Sequence, residues 1–292
     1  MPEIKGVVAA ILTPFDDNDK IDLDFVKKHV RWLEERGAQG IVPSGTNGEC
    51  SSMTVEERKP LIETAVANKG RMFAIAGVGT TNLAETLGLA RFAESVGSDA
   101  IMVMPPYYLR FAPEQGHVEY FKRVMDAISL PVFLYNIPGC TGIRITEGMI
   151  DALSGYPHLA GVKDSSGNLP NTLGYIKSYP NLKIFVGDDH HSLAALTAGA
   201  AGHITGMPNA FPEFTTALYS AFAAGEDASV HQVRLGLARD CTSPFPEFGV
   251  NKYVLSLRGF PLRRSRLPLL DMTNEQKAAF EKLIRAHGLW II

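Results

Sequence analysis

A closed barrel of eight parallel strands, each followed by a helix, with further helices packed on it toward the C-terminus, is the fold this sequence predicts. Three observations predict it. One theme recurs along the 292 residues: an amphipathic helix, a glycine that ends it, then a short apolar strand running into a polar, Gly-rich loop. The strand segments are continuously apolar and rich in Val and Ile rather than alternating, the pattern of parallel strands covered on both faces. Eight such units fit between residues 6 and 209, which favours a closed sheet over an open doubly wound one.

The first strand is GVVAAIL (6–12). Residues 22–36 then place Phe25, Val26, His29, Val30 and Leu33 on one helical face, and Gly37 supplies the left-handed position that ends the helix. GIVPSG (40–45) is the second strand. Thr54 and Glu57 form a capping box for a helix that runs to about Gly70. MFAIAGV (72–78) is the third strand, Asn82 and Glu85 repeat the capping logic for a helix ending at Gly97, and DAIMVMPP (99–106) is the fourth strand. A helix around 114–128 leads to LPVFLYNIP (130–138), LAGVKDSSG (159–167), LKIFVGDD (182–189) and GHITGMPN (202–209), each preceded by a helical segment. The pattern from about 211 onward is mainly helical and too long for one barrel helix. The expected division is a (β/α)8 TIM barrel over 1–224 and a helical extension packed on it over 225–292.

Composition narrows the function classes. With 28 basic residues scattered among 31 acidic ones and a net charge of -3, the chain lacks the cationic footprint that nucleic acid or an anionic lipid surface selects. No apolar run approaches the ~18–20 residues that span a bilayer, and the apolar stretch near the start is followed by acids rather than a small-residue cleavage site. Cys50, Cys140 and Cys241 are far apart and lack CxxC spacing, which argues against a disulfide framework or structural zinc and for a reducing cytoplasm. Neither GxGxxG nor GxxxxGK[ST] follows the first strand, so a nucleotide cofactor is not expected.

In such a barrel the chemistry sits where the strands end. Lys163 stands at the end of a buried strand between Val162 and Asp164. Attack on a ketone carbonyl to form a carbinolamine and then an imine requires a neutral amine, which a poorly hydrated site favours. The competing reading is a structural ion pair with Asp164. Tyr135, on the neighbouring strand end, can relay protons during imine formation, and Thr46 can extend that relay through its hydroxyl. The loop SGTNGE (44–49) can bind a small carboxylate through backbone amides and the Thr46 and Asn47 side chains, or be an ordinary βα turn, with Glu49 structural. Asp188, Asp189, His190 and His191 invite a metal reading; an N-cap followed by surface histidines is preferred, because Thr13, Pro14 and Phe15 stand where a metal-dependent barrel hydrolase would carry histidines. Cys50 and Cys140 lack a neighbouring His to activate them.

The motifs GTNGE (45–49), PPYY (105–108), YNIPGCTG (135–142), GVKDSSG (161–167) and GHITG (202–206) together resemble the dihydrodipicolinate synthase and N-acetylneuraminate lyase family over nearly the whole chain. The resemblance implies a Schiff base at Lys163, an acid/base phenol at Tyr135, and a carboxylate-binding pair in Thr46 and Asn47, with Gly45 and Ile204 beside the substrate. It also implies a homotetramer of tight dimers in which Tyr108 enters a neighbour's site, with no metal or organic cofactor. Two departures bear on substrate. Dihydrodipicolinate synthases carry an arginine two residues after the proline of YNxP, where this chain has Cys140, and losing that contact to a carboxylate forfeits ~1.5–3 kcal/mol. Asn47 replaces the usual second threonine, as in 4-hydroxy-2-oxoglutarate and 2-keto-3-deoxy-sugar-acid aldolases. Arg144 is a candidate replacement for the missing arginine. The expected activity is therefore aldol cleavage or dehydration of a 2-keto-3-deoxy acid. The alternatives are dihydrodipicolinate synthase itself and, outside the family, a metal-dependent hydrolase or a non-catalytic keto-acid-binding barrel.

Overall fold

The computed structural model of the protein describes residues 3–290. Eight strands, β1 (Gly6–Ala10), β2 (Gly40–Val42), β3 (Phe73–Gly77), β4 (Ala100–Val103), β5 (Val132–Asn136), β6 (Leu159–Asp164), β7 (Lys183–Val186) and β8 (Gly202–Thr205), close in sequence order into a barrel. Every neighbouring pair is parallel, including β1 with β8. The expected (β/α)8 barrel is therefore the fold.

The ladders are shorter than the apolar runs, mostly at their C-terminal ends. Pro43 to Gly45 leave β2 before the loop begins, and Pro105 and Pro106, which have no N–H to give a ladder, follow β4. After β8 the chain turns through a short 3₁₀ segment, Met207–Asn209. These departures make the rim: backbone that is released from pairing is free to shape loops. The first helix buries Phe25, Val26, His29, Val30 and Leu33, and Gly37 follows it at φ 85°. The Thr54 capping box forms in both directions. Asn82 accepts from the amides of Ala84 and Glu85, without the reciprocal bond from Glu85.

The sheet tolerates little inside. A Cβ built on Gly161 would lie 2.0 Å from the Lys183 carbonyl oxygen and 2.8 Å from the Phe133 ring, so β6 can approach β7 only with glycine there. The eighth barrel helix, Pro212–Ala223, is followed by three more, Ser229–Thr242, Glu247–Leu257 and Asn274–Ala286. Their apolar faces share a second core: Leu235, Val254, Phe280 and Ile284 pack with Phe211, Phe214 and Leu218. Fully burying a side chain such as Phe280 contributes about 1.5–3 kcal/mol. Polar ties add to it, with Arg258 gripping both oxygens of Glu213 and Arg263 reaching Asp22. Residues 291 and 292 of the expected extension lie outside the described residues. Among those residues, no helix is long and apolar enough to cross a membrane.

Gly161→Ala is expected to cost about 1–3 kcal/mol or more through this backbone collision, read as a lowered midpoint in urea unfolding.

Candidate active site

β5 and β6 pair with Tyr135 opposite Lys163 and Asn136 opposite Asp164. Successive side chains on a strand face opposite ways, so Lys163 enters the barrel mouth while Asp164 points out behind it. The Asp164 carboxylate is already saturated. It accepts from Asn136 Nδ2 (2.8 Å), the Ser166 amide and hydroxyl (3.1 Å each), Asn171 Nδ2 (2.9 Å) and Thr172 Oγ1 (2.7 Å). The ion-pair reading of Lys163 is thereby overturned. Lys163 is instead buried, with Nζ 4.0 Å from the centre of the Tyr135 ring. The Thr46 hydroxyl lies 3.5 Å from Tyr135 Oη, at the outer limit of a hydrogen bond.

Thr46 and Asn47 are half-buried on a loop with a defined shape. The amides of Gly48, Glu49 and Cys50 are spent on the carbonyls of Gly45 and Thr46, which leaves the Thr46 and Asn47 groups facing the cavity. Ser44 and Glu49, at the two ends, have φ 59° and 55°, positions that cost about 1–3 kcal/mol each outside glycine. Asn47 also leans on the turn after β8, where a Cβ at Gly206 would stand 2.6 Å from its Oδ1.

A cavity of about 440 Å³ joins these groups, and Thr46, Asn47, Tyr135, Lys163 and Ile204 all line it. Gly45 is not in the wall; its carbonyl shapes the turn beneath. Tyr108 stands apart from its own chain's cavity, on the turn Tyr107–Leu109, and is 78% exposed. Arg144 does not replace the missing arginine: it is exposed and donates to Asn171 Oδ1, the partner that also holds Asp164. Cys140 lines the cavity, and burial pushes its thiol up, as it does that of Cys50.

The far end of the cavity was missed from sequence. Arg239 and Ser243 reach it from the helix Ser229–Thr242 and its cap, Glu247 and Phe248 from Glu247–Leu257, and Ser165 and Ser166 from the loop after β6. On their own helices the first four read as ordinary surface and packing positions. Asp188 caps the turn after β7 by accepting from the His190 amide, and His190 is exposed, facing Asp240 at 3.2 Å. Asp189 is buried at the cavity wall, and burial pushes its carboxyl up to about 6 against the opposing pull of Thr205 and Arg239. Among the described residues no group of three or more His, Cys, Asp or Glu side chains is placed to hold a metal ion.

The sequence profile of the Dihydrodipicolinate synthetase family matches residues 3–287. This chain belongs to that family. A DapA-like lyase of Chloroflexus aurantiacus is 38% identical over 97% of this chain and 98% of its own length. A 4-hydroxy-tetrahydrodipicolinate synthase of Caldicellulosiruptor saccharolyticus is 30% identical over 99% of each. Among solved structures, YagE, a prophage protein of E. coli K12 in complex with pyruvate, superposes with a TM-score of 0.94 at 26% identity, covering 99% of this chain and 100% of that one. Members of the family are pyruvate-dependent lyases that work through a lysine Schiff base, and this protein is a lyase of that class.

Asp189 makes a stability test. Its carboxyl ionises near 3.8 when unfolded and near 6 when folded, so between those values the unfolded chain binds fewer protons and stability falls as pH rises. Asp189→Asn removes that dependence. The stability of the variant relative to the native protein should rise by roughly 2 kcal/mol from pH 4 to pH 7 in urea unfolding.

Proposed function

We propose that the protein is a catabolic aldolase or dehydratase of 2-keto-3-deoxy acids, with Lys163 as the Schiff-base lysine. The observation that carries it is the meeting of a buried Lys163 with Tyr135 and Thr46 in a cavity whose distal end is polar and whose β5 side bears Cys140 in place of a cation.

Lys163 Nζ attacks the C2 carbonyl, and Tyr135 with Thr46 carries protons to the departing oxygen until water leaves and a protonated imine remains. The substrate carboxylate lies on the amides and side chains of Thr46 and Asn47, next to Ile204. In cleavage, the C4 hydroxyl gives up its proton to Tyr135 and the C3–C4 bond breaks. Its electron pair moves into the C2–C3 enamine, and the aldehyde departs. Protonation at C3 and hydrolysis then release pyruvate and free the amine. In dehydration, loss of a C3 proton from the imine forms a different enamine that keeps the whole carbon chain. It expels the C4 hydroxyl, which takes up a proton and leaves as water, and hydrolysis of the resulting imine frees the amine. The imine nitrogen is the electron sink, so neither route calls on a metal or organic cofactor.

Ser165, Ser166, Asp189, Arg239 and Ser243 offer donors and acceptors to a hydroxylated tail. The second reading is 4-hydroxy-tetrahydrodipicolinate synthase, condensing pyruvate with aspartate semialdehyde, which the Caldicellulosiruptor relative and the cation Arg239 favour. Cys140 weighs against it. Exposed Tyr108 and Phe111 suit burial against a second copy, so the protein is read as a tetramer of tight dimers with Tyr108 entering the neighbour's site.

Incubation with pyruvate and sodium borohydride should leave a reduced adduct on Lys163, found by peptide mass, and none in Lys163→Ala. A folded protein without the adduct removes the proposal. Tyr135→Phe should slow turnover about 10²–10⁴-fold. A higher kcat/KM for pyruvate plus aspartate semialdehyde than for 2-keto-3-deoxy acids would establish the synthase reading instead.

A further inference from the structure

The loop that presents Thr46 and Asn47 is bracketed by two residues in the left-handed region, Ser44 and Glu49, neither with glycine's freedom to sit there. Each is fastened by a buried cation that the chemistry above leaves unused. At the first end, Arg58 donates Nε to Ser44 Oγ at 2.7 Å and its other nitrogens to the carbonyls of Gly77, at the end of β3, and Gly79, just beyond it. At the other end, Lys252 Nζ lies 2.5 Å from Glu49 Oε1, with 2% and 0% of the two side chains exposed. The Arg266 amide takes the second Glu49 oxygen at 2.9 Å, while the Arg266 guanidinium grips Glu57.

A fully buried ion pair is a poor source of stability, because desolvation offsets most of the attraction and apolar replacements are often as stable. It is a good means of fixing one backbone conformation. The pair also spans the chain: the helix Glu247–Leu257 that supplies Lys252 presents Glu247 and Phe248 to the cavity. One element therefore borders the distal end of the cavity and holds the loop at the carboxylate end.

We propose that Lys252, acting through Glu49, and Arg58, acting through Ser44, are positioning residues that hold Thr46 and Asn47 in the geometry that binds the substrate carboxylate. This rests on the reading of Thr46 and Asn47 given above. Neither cation touches the reacting atoms. Loss of either should weaken capture of the keto acid while leaving the amine chemistry at Lys163 intact.

Borohydride trapping of pyruvate separates the two effects, since half-saturation reports capture and the limiting rate reports the amine. Lys252→Met should raise half-saturating pyruvate about tenfold or more, with the limiting rate within about threefold of native. Should that variant fail to fold, Glu49→Gln with Lys252→Met leaves no unpaired charge and is expected to show the same rise. Arg58→Lys, which keeps the charge and loses the fork, should move the same way. Combined with Asn47→Ala, Lys252→Met should add little to the effect of Asn47→Ala alone, because both act on one contact. A native half-saturation in the folded double variant, or full additivity with Asn47→Ala, overturns the role of Lys252, and a native value in Arg58→Lys overturns that of Arg58. If the native protein itself forms no adduct at Lys163, the proposed function has failed instead.

Discussion

Alternation along β6 is the constraint on which the site depends. Neighbouring residues on a strand cannot face the same way, so the step from Lys163 to Asp164 turns an amine into the cavity and a carboxylate out of it. Asp164 then earns its burial elsewhere, by tying β5, the loop after β6 and the helix that follows through five hydrogen bonds. With its lone pairs committed, Lys163 is left beside an aromatic ring and a hydroxyl rather than a counter-ion. Gly161, two residues earlier on the same face, lets the backbone come close enough to β7 for this register to exist.

Much of this was legible because the signals are local. A strand buried on both faces has to be apolar throughout, a capping box writes itself into four residues, and a lysine inside a buried run is conspicuous. The ladder ends were not legible, since an apolar run says where burial continues and not where backbone pairing stops. Nor was the partner of Lys163: adjacency in sequence suggested Asp164, and only the register with Asn136 shows why that pairing cannot form. Arg239 and Glu247 escaped notice for a different reason. Each is a charged residue on an amphipathic helix, and its place at the barrel mouth is set by how the terminal helices pack, through Phe280 and Val254, rather than by anything near it in the chain. Arg144 erred the other way, with a side chain near the right motif and a contact to Asn171 on the outside.

The two ends of the cavity are built from different material. The Lys163 end is framed by strand and by a loop whose shape is over-determined from both sides, whereas the far end is framed mainly by loop and helix side chains whose identities can change without disturbing a ladder. Asp189 lies between them, a buried carboxyl that desolvation pushes up to about 6, able to give or take a hydrogen bond according to its protonation.

The reach of Lys252 back to Glu49 also bears on what can be removed from this chain. Cutting it after the eighth barrel helix looks harmless on a topology diagram, because all eight strands would survive. The deletion would strip Lys252, the basic side chain that pairs with the Glu49 carboxylate, and uncover the apolar wall formed by Phe211, Phe214 and Leu218. Barrel and terminal helices thus share one buried apolar surface, and taking the helices away would turn part of a core into an exposed face.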